Sequence, residues 1–222
     1  MLYSKKRSKL KNIISIDIYS DTICPWCYIA KRKLQSAIEE LPDYRFDILW
    51  HPYQLNPDMP LEGMNRKDYL NNKFGGKIQA DKIYKEINEV GKNIGIYFQF
   101  EKIKKTPNTF ASHKLLAIGH KYGKQNQIIE SLFYSYFIEG KDIGNIDELL
   151  TIAQQNNIHS SATLQYLQSD IDKETILQEE DQARKIGIKA VPCFIINKDY
   201  VLFGAQEKEN FFNIFYNLIH EV

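Results

Sequence analysis

The chain has 222 residues, of which 43% are hydrophobic and 26% are charged, and this composition suits one large domain or a domain with an insertion. Its formal net charge of +1 gives no reason to expect a nucleic acid or a membrane surface as a partner. Three cysteines in a chain of this length do not make a disulfide scaffold.

The amino terminus is basic but lacks the pattern of a signal peptide. Lysine and arginine are frequent in residues 1–12. A signal peptide would continue with about 7–15 apolar residues, whereas Ser15 and Asp17 interrupt the run that begins at Ile13. No segment approaches the roughly 18 apolar residues of a transmembrane helix. We therefore expect a cytoplasmic protein whose residues 1–12 form a frayed, solvated leader.

The first part of the chain has the pattern of a βαβ unit. Apolar residues alternate with polar ones over residues 14–19 and again over residues 44–50, which is the period of a strand. Between these segments, residues 30–41 place apolar side chains at helical spacing, and Pro42 ends the run. A strand, a crossover helix and a second strand predict a parallel pair.

From Pro57 onward the pattern becomes mostly helical. About six helices are predicted over residues 61–170, with a strand signal only at residues 96–100. A helix near residues 173–186 then ends at Gly187, and a hairpin and a final helix complete the chain. The order of these elements predicts an α/β fold with a helical insertion.

Cys24 and Cys27 stand three residues apart where the first strand leads into the first helix. Positions three apart share one face of a helix, with Cβ atoms about 5–6 Å apart, and a disulfide requires Cα atoms about 4.4–6.8 Å apart. We expect Cys24 at the N-cap and Pro25 in the first turn. The positive end of the helix would favour a thiolate on Cys24, and a stabilised thiolate makes the disulfide oxidising.

Two other readings of this Cys-x-x-Cys motif are weaker. Half of a zinc site would need two more ligands, but the only other cysteine is Cys193, with no histidine near it in the sequence. A structural disulfide across three residues would constrain the unfolded chain little. The motif therefore predicts a redox pair, with no metal and no cofactor other than the Cys24–Cys27 disulfide itself.

Four stretches, taken together and in order, resemble the DsbA-like thioredoxin-fold oxidoreductases, and most closely the FrnE-type branch. They are Asp21 to Tyr28, Trp50 to Pro57, Asn108-Thr109 with His113 downstream, and Gly187 to Phe194 followed by Gly204-Ala205-Gln206. The resemblance implies a thioredoxin fold with a large inserted all-helical domain. Residues 1–60 and 171–222 would form the two thioredoxin-fold parts, and residues 61–170 would form the insertion.

The resemblance also assigns roles to residues. It implies that Cys24 is the nucleophile, that Cys27 is the resolving thiol, and that Pro192 is a cis-proline beside the disulfide. The backbone of Val191 would then offer an open edge to an extended substrate peptide. Substrate contacts are expected from Pro25, Trp26, Val191 and Pro192.

Several further residues are open to two interpretations. Cys193 stands where the family more often has another small or apolar residue, and we expect a buried small hydrophobe there, with a third redox thiol or a metal ligand as the alternative.

For Trp26 and Tyr28, an apolar rim for substrate and packing on the insertion are equally compatible with the sequence. For Asp21, capping or turn formation explains the residue as well as proton transfer does. The remaining three are expected to be structural: His51 and His113 as hydrogen-bonded histidines and Asn108 as an N-cap.

Three functions compete. The leading hypothesis is a thiol–disulfide oxidoreductase acting on thiol- or disulfide-containing proteins or peptides, with glutathione as a further candidate partner. A glutathione-dependent isomerase or transferase, of the 2-hydroxychromene-2-carboxylate isomerase or kappa-class type, shares the inserted architecture, but those relatives typically have a serine where Cys24 stands. The third is a non-catalytic metal-binding or chaperone-like module that uses the three cysteines. The pattern carries no information on the oligomeric state.

Overall fold

The computed structural model describes residues 13–220, so the leader expected at residues 1–12 lies outside the described part of the chain. Strands and helices follow one another along the chain in this order. They are β1 (Ile13–Ser20), α1 (Pro25–Glu39), β2 (Arg45–Pro52), β3 (Met64–Asn65), α2 (Arg66–Phe74), α3 (Lys77–Asn93), β4 (Lys105–Thr106), α4 (Phe110–Lys121), α5 (Gln125–Tyr134), α6 (Ile146–Gln155), α7 (Ser160–Gln168), α8 (Lys173–Lys185), β5 (Cys193–Ile196), β6 (Tyr200–Phe203) and α9 (Lys208–His220).

A four-stranded sheet in the order β2-β1-β5-β6 forms the centre of the fold. β1 and β2 are parallel, as the βαβ pattern predicts, and β5 is antiparallel to β1 and to β6. One face of β1 carries Ile14, Ile16 and Ile18, all buried. Phe194, which pairs with Ile18, packs edge-on against Phe211 of α9. α9 therefore packs on this face of the sheet, and α1 packs beside α9.

The opposite face of the sheet is more polar. Asp17 and Tyr19 alternate with the buried isoleucines of β1, and His51 of β2 stacks on Tyr19 with ring centroids 4.7 Å apart. Helix α8 packs against β2 on this side and brings Glu179 within 3.6 Å of His51 Nδ1. The two faces are thus covered by different helices, as expected of an α/β layer structure.

The insertion at residues 61–170 is helical, as predicted. Its six α-helices are α2 to α7, and a π-helical turn at Ser135–Glu139 extends α5. Asn65 caps α2 by accepting a hydrogen bond from the backbone of Lys67 (2.9 Å), and Gly75 ends the helix in the left-handed conformation. β3 and β4 form a two-residue antiparallel pair within it.

Two local expectations in the insertion are wrong. Residues 96–100 do not form a strand, because Phe98 and Phe100 stack on each other and both pack edge-on against Phe137, so their alternation serves aromatic packing. The N-cap of α4 is Thr109 and not Asn108 as expected, and the helix begins at Phe110. Asn108 stands before it, and its side chain accepts a hydrogen bond from the Phe110 N–H (2.9 Å).

Aromatic packing joins the insertion to the sheet domain. Tyr28 of α1 is buried, its ring packs with Phe98, Phe133 and Phe137, and its hydroxyl donates a hydrogen bond to Glu130 (3.0 Å). Tyr28 therefore packs on the insertion, which decides between the two readings of this residue. No helix within residues 13–220 is long and apolar enough to cross a lipid bilayer.

Candidate active site

Cys24 occupies the N-cap of α1, as the sequence predicts. β1 ends at Ser20, and a short turn closes when the Cys24 N–H donates to the carbonyl of Asp21 (3.0 Å). Pro25 is the first helical residue, where its missing N–H leaves no donor unsatisfied. The Cys24 carbonyl accepts the N–H groups of Cys27 and Tyr28, and the Cys24 side chain makes no capping hydrogen bond. Its sulfur is therefore available for other contacts.

The loop before β5 supplies one such contact. The Val191–Pro192 peptide bond is cis, and Cys24 Sγ lies 3.7 Å from the carbonyl oxygen of Val191. The Gly204 N–H donates to the Pro192 carbonyl (2.8 Å), which ties the loop to the end of β6. Segments that are far apart in the sequence thus meet at the first turn of α1.

Burial distinguishes the residues of this turn. Cys24 and Cys27 are free thiols with little exposed surface, 3% and 0% respectively. Pro25 and Trp26 between them are half-buried, and Trp26 also packs against the core. Access from solvent is therefore through the surface around Pro25 and Trp26, while Cys27 lies beneath it.

Cys27 holds its proton tightly. Burial raises the pKa of its thiol well above the ordinary value, and the neighbouring Cys24 raises this pKa further through a hydrogen bond and its charge. The Ser20 hydroxyl and the Asp21 backbone lower the pKa of Cys27 by a smaller amount. A thiol of this kind becomes a nucleophile only when another group accepts its proton.

Cys193 points away from α1. It pairs with Tyr19, whereas its neighbour Phe194 packs on α9, and successive strand residues face opposite sides of a sheet. Its side chain is 0% exposed, and burial raises the pKa of the Cys193 thiol to about 11. These properties fit a buried small hydrophobe better than a third redox thiol.

Asp21, in the turn before Cys24, and His113 of α4 lie close to each other. Asp21 is fully buried; its Oδ2 accepts the Leu55 N–H (2.7 Å), while its Oδ1 lies 3.5 Å from His113 Nε2 and has no hydrogen-bond partner. Neither ring nitrogen of His113 has a hydrogen-bond partner, so the expectation of a hydrogen-bonded histidine is wrong for this residue. The only signal in the sequence was a carboxylate three residues before Cys24.

His51, in contrast, is hydrogen-bonded as expected. Its Nε2 lies 2.8 Å from Asp17 Oδ1. Burial lowers the pKa of His51, but the hydrogen bonds to Glu179 and Asp17 and the charges of these carboxylates raise it by more, so the net shift is upward. His51 lies on the face of the sheet opposite to α1, which supports a structural role.

Residues 13–220 include no group of three or more histidine, cysteine, aspartate or glutamate side chains that could hold a metal ion. The three thiols do not form such a group, because Cys193 faces the other side of the sheet from α1.

Comparison with known families places most of the chain in one of them. The model described as a DSBA-like thioredoxin domain matches residues 15–215. A protein of Bacillus subtilis, YwbO, whose function is uncharacterised, is 24% identical over 206 residues, which cover 89% of this chain and 94% of that protein.

Solved structures with the same fold include enzymes of more than one activity. A probable DsbA oxidoreductase from Streptomyces coelicolor superimposes with a TM-score of 0.85 at 20% identity, covering 94% of this chain and 91% of the other. The cytosolic disulfide reductase DsbM from Pseudomonas aeruginosa, also solved with GSH, gives a TM-score of 0.68 at 13% identity, with 94% and 100% coverage. A 2-hydroxychromene-2-carboxylate isomerase gives 0.69 at 14% identity, with 93% and 95% coverage. These likenesses show the fold.

Proposed function

Because the chain belongs to the family of DsbA-like thioredoxin domains, we propose that it is a thiol–disulfide oxidoreductase that cycles Cys24 and Cys27 between dithiol and disulfide. The observation that carries this proposal is the placement of Cys24. Its thiol stands at the N-terminus of α1, where the helix dipole favours a negative charge, and Cys27 follows one turn later. Protein thiols or low-molecular-weight thiols are the substrates.

The two cysteines have different roles in this cycle. In the reducing direction, the Cys24 thiolate attacks a substrate disulfide, a Cys24–substrate disulfide forms, and one substrate sulfur leaves as a thiolate. Cys27 then gives up its proton and attacks Cys24 Sγ, which releases the second substrate thiolate and leaves a Cys24–Cys27 disulfide. The oxidising direction is the reverse, so that two substrate thiols become a disulfide while the enzyme is reduced. The burial of Cys27 supports its role as the second attacker.

Substrate binding is assigned to the surface around Cys24. Pro25 and Trp26 are half-exposed beside the thiols, and Val191 and Pro192 approach the same turn from the loop before β5. An extended peptide that paired with the backbone of Val191 would bring its cysteine towards Cys24 Sγ. Glutathione is a further candidate substrate, since the related fold of DsbM has been solved with GSH. We also propose a cytoplasmic location, for which the cytosolic DsbM is a precedent.

Substitution of each cysteine tests the assignment. Cys24→Ser is expected to abolish insulin reduction and dithiol oxidation, because the first nucleophile is lost. Cys27→Ser is expected to accumulate mixed disulfides through Cys24, visible by mass spectrometry. Cys193→Ala, a buried cysteine on the other face of the sheet, is the matched control and should keep the wild-type rate. Full turnover by Cys24→Ser would refute the proposed function.

The isomerase alternative has the fold of 2-hydroxychromene-2-carboxylate isomerase in its favour. It uses glutathione without net oxidation, so it requires no second cysteine. Glutathione-dependent isomerisation that survived Cys27→Ser would favour it, whereas loss of all activity in that variant would exclude it. Stoichiometric zinc in the purified protein would instead favour the metal-binding alternative.

A further inference from the structure

A groove of about 770 Å³ lies in the helical insertion, between α2, α3 and the segment that leads to β4. Small-molecule sites in proteins have volumes of roughly 300–1,000 Å³. None of the residues assigned above to thiol exchange or to substrate contact lines this groove. Its apolar wall is formed by Leu70 of α2, Tyr84 of α3, Phe100 and Ile103. We call it the insertion groove.

Arg66, the first residue of α2, lines the insertion groove and is half-buried. Its Nη1 donates hydrogen bonds to Thr106 Oγ1 (3.0 Å) and to the Tyr136 hydroxyl (3.4 Å). Its Nη2 donates to the Tyr84 hydroxyl (2.6 Å). A guanidinium carries five N–H donors. Within residues 13–220, the Nε–H and the second Nη2–H of Arg66 therefore have no acceptor and are available to a ligand.

The positive charge of Arg66 is not neutralised by the part of the chain that the structure describes. Its hydrogen-bond partners are uncharged hydroxyl groups, and no carboxylate of residues 13–220 forms an ion pair with it. Residues 1–12 contain no aspartate or glutamate, so their side chains offer no counter-charge either. A charge withdrawn from water is costly unless it is paired. The unpaired guanidinium therefore points to an anion as the occupant of the groove.

The other charges of the wall favour the same sign of ligand. Lys77 pairs with Asp81 (2.7 Å), but the remaining lysines include three that form no ion pair within residues 13–220. These three are Lys67, Lys85 and Lys92, all of which are exposed. Cationic side chains outnumber acidic ones along the groove, where the acidic ones are Asp81, Glu89 and Glu101. An anion thus complements the charge of the wall.

The aromatic residues of the groove indicate what kind of body this anion has. Phe100 stacks with Tyr84 (ring centroids 4.3 Å apart) and with Phe98 (4.9 Å). The Arg66 guanidinium lies over the Tyr84 ring at 5.4 Å. Phe100 and Tyr84 therefore each have two partners inside the protein, and a ligand meets ring edges together with Leu70. Such a wall suits an aliphatic chain better than a nucleobase or another planar ring, which prefers a free aromatic face.

We propose that the insertion groove is a binding site for an aliphatic carboxylate of fatty-acid type. The Arg66 Nε–H and Nη2–H donate to the carboxylate, and the aliphatic chain packs along Leu70 and Phe100. Tyr84 accepts a hydrogen bond from Arg66, so its own hydroxyl proton is available to the carboxylate as well. Charge-assisted hydrogen bonds from arginine are among the stronger and more directional ones. This site goes beyond the proposed thiol chemistry and requires neither cysteine.

Isothermal titration calorimetry with dodecanoate, below its critical micelle concentration, tests the proposal on the full-length reduced protein. We expect saturable binding of one dodecanoate per chain. Acetate has the carboxylate without the chain, and dodecyltrimethylammonium has the chain with the opposite charge. Each should bind at least about tenfold more weakly than dodecanoate, because one lacks the apolar contact and the other lacks the contact with the guanidinium.

Two variants with matched controls place the binding in the groove. Arg66→Gln should weaken dodecanoate binding at least about tenfold, since hydrogen bonds to charged groups are the stronger class. Arg45→Gln, the same change at an exposed position of β2, should bind as the wild type does. Leu70→Trp, which fills part of the groove, should weaken binding by a similar factor. Leu61→Trp, at a leucine that is 85% exposed, is its control and should have no effect.

The outcomes separate the alternatives. Absence of saturable dodecanoate binding, or equal binding by wild type, Arg66→Gln and Leu70→Trp, would overturn the proposal. Equal affinity for dodecyltrimethylammonium would show a merely apolar surface and would overturn it too. Tighter binding of adenosine monophosphate than of dodecanoate, lost in Arg66→Gln, would replace the aliphatic carboxylate by a nucleotide. If circular dichroism shows that Arg66→Gln does not fold, Leu70→Trp and its control decide.

The site and the thiol chemistry are tested independently. Cys24→Ser should bind dodecanoate with the wild-type affinity, because neither cysteine lines the insertion groove. Loss of binding in that variant, if it is folded, would contradict the assignment of the ligand to the groove. A failure of the proposed oxidoreductase activity would leave the dodecanoate experiment unaffected.

Discussion

Replacement of Cys193 by serine separates a structural cysteine from a redox one. The residue is 0% exposed and begins β5 on the face of the sheet opposite to α1. Serine is close to cysteine in size but puts a hydroxyl group into this site. Burial of a hydroxyl without a partner costs about 1–3 kcal/mol on protein mutational scales. We therefore expect Cys193→Ser to lower the free energy of unfolding by about 2 kcal/mol and to leave the rate of the Cys24–Cys27 cycle nearly unchanged.

Alkaline pH gives an independent measure of the same burial. The pKa of Cys193 is about 11 in the folded protein, against an ordinary value of 9.0. Above pH 9 the unfolded chain releases this proton while the folded protein retains it, so stability falls as the pH rises. The contribution is roughly 1 kcal/mol by pH 10 and approaches about 3 kcal/mol above pH 11, at about 1.36 kcal/mol per pKa unit. Cys193→Ala lacks this contribution.

Urea unfolding under reducing conditions measures both effects, with Cys193→Ala as the control that removes the sulfur without adding a hydroxyl. The stability difference between wild type and Cys193→Ala should shrink between pH 8 and pH 10. Mass-spectrometric mapping of the oxidised wild type should find a Cys24–Cys27 bridge with Cys193 free. A Cys193→Ser variant as stable as the wild type, or a substantial population of bridges from Cys193 to either cysteine, would refute the reasoning.

Two further predictions concern buried charges. Lys114 is almost fully buried and its ammonium donates to the carbonyls of Tyr166 (2.7 Å), Leu167 (3.3 Å) and Ser169 (2.5 Å). Lys114→Met should therefore cost about 3 kcal/mol or more in a urea titration, since each carbonyl left unpaired costs roughly 1–3 kcal/mol; an equally stable variant would show that water replaces the ammonium. His51 has a pKa raised above 6.5, so the stability that its protonation provides is complete below that pH and is lost as the pH rises through the folded pKa. Thermal unfolding should show a larger loss for His51→Gln near pH 5.5 than near pH 8.5, and an equal loss at both would contradict the charged contacts.

Much of the architecture could be read from local patterns. Side chains alternate sides every two residues in a strand and return to one face about every 3.6 residues in a helix. The apolar residues at 14, 16 and 18 and the helical spacing after Cys27 therefore predict a strand, a helix and a parallel second strand from the local sequence. The N-cap position of Cys24 was predictable for the same reason, since it depends on Pro25 and on the end of β1. The change from strand alternation to helical spacing of the apolar residues after Pro57 likewise predicted the helical insertion.

Only the tertiary structure decided which distant residues meet. The Val191 carbonyl reaches Cys24 Sγ across 167 positions of the sequence, and Thr22 reaches Ser112 across 90. The alternating residues at 96–100 do not form a strand because Phe98 and Phe100 pack against Phe137. The local sequence gives no signal of this contact. Such contacts depend on how the helices pack on the sheet, and the spacing of residues within one segment does not predict that packing.

The pairing of Asp21 with His113 shows the same division. The sequence placed a carboxylate three residues before Cys24, where turn formation explained it adequately. The structure left one of its oxygens without a donor and put an unpartnered imidazole 3.5 Å away. Whether a polar group is satisfied depends on every element that surrounds it, which is why the sequence identified the two thiols, whereas only the fold showed the unpartnered carboxylate oxygen of Asp21.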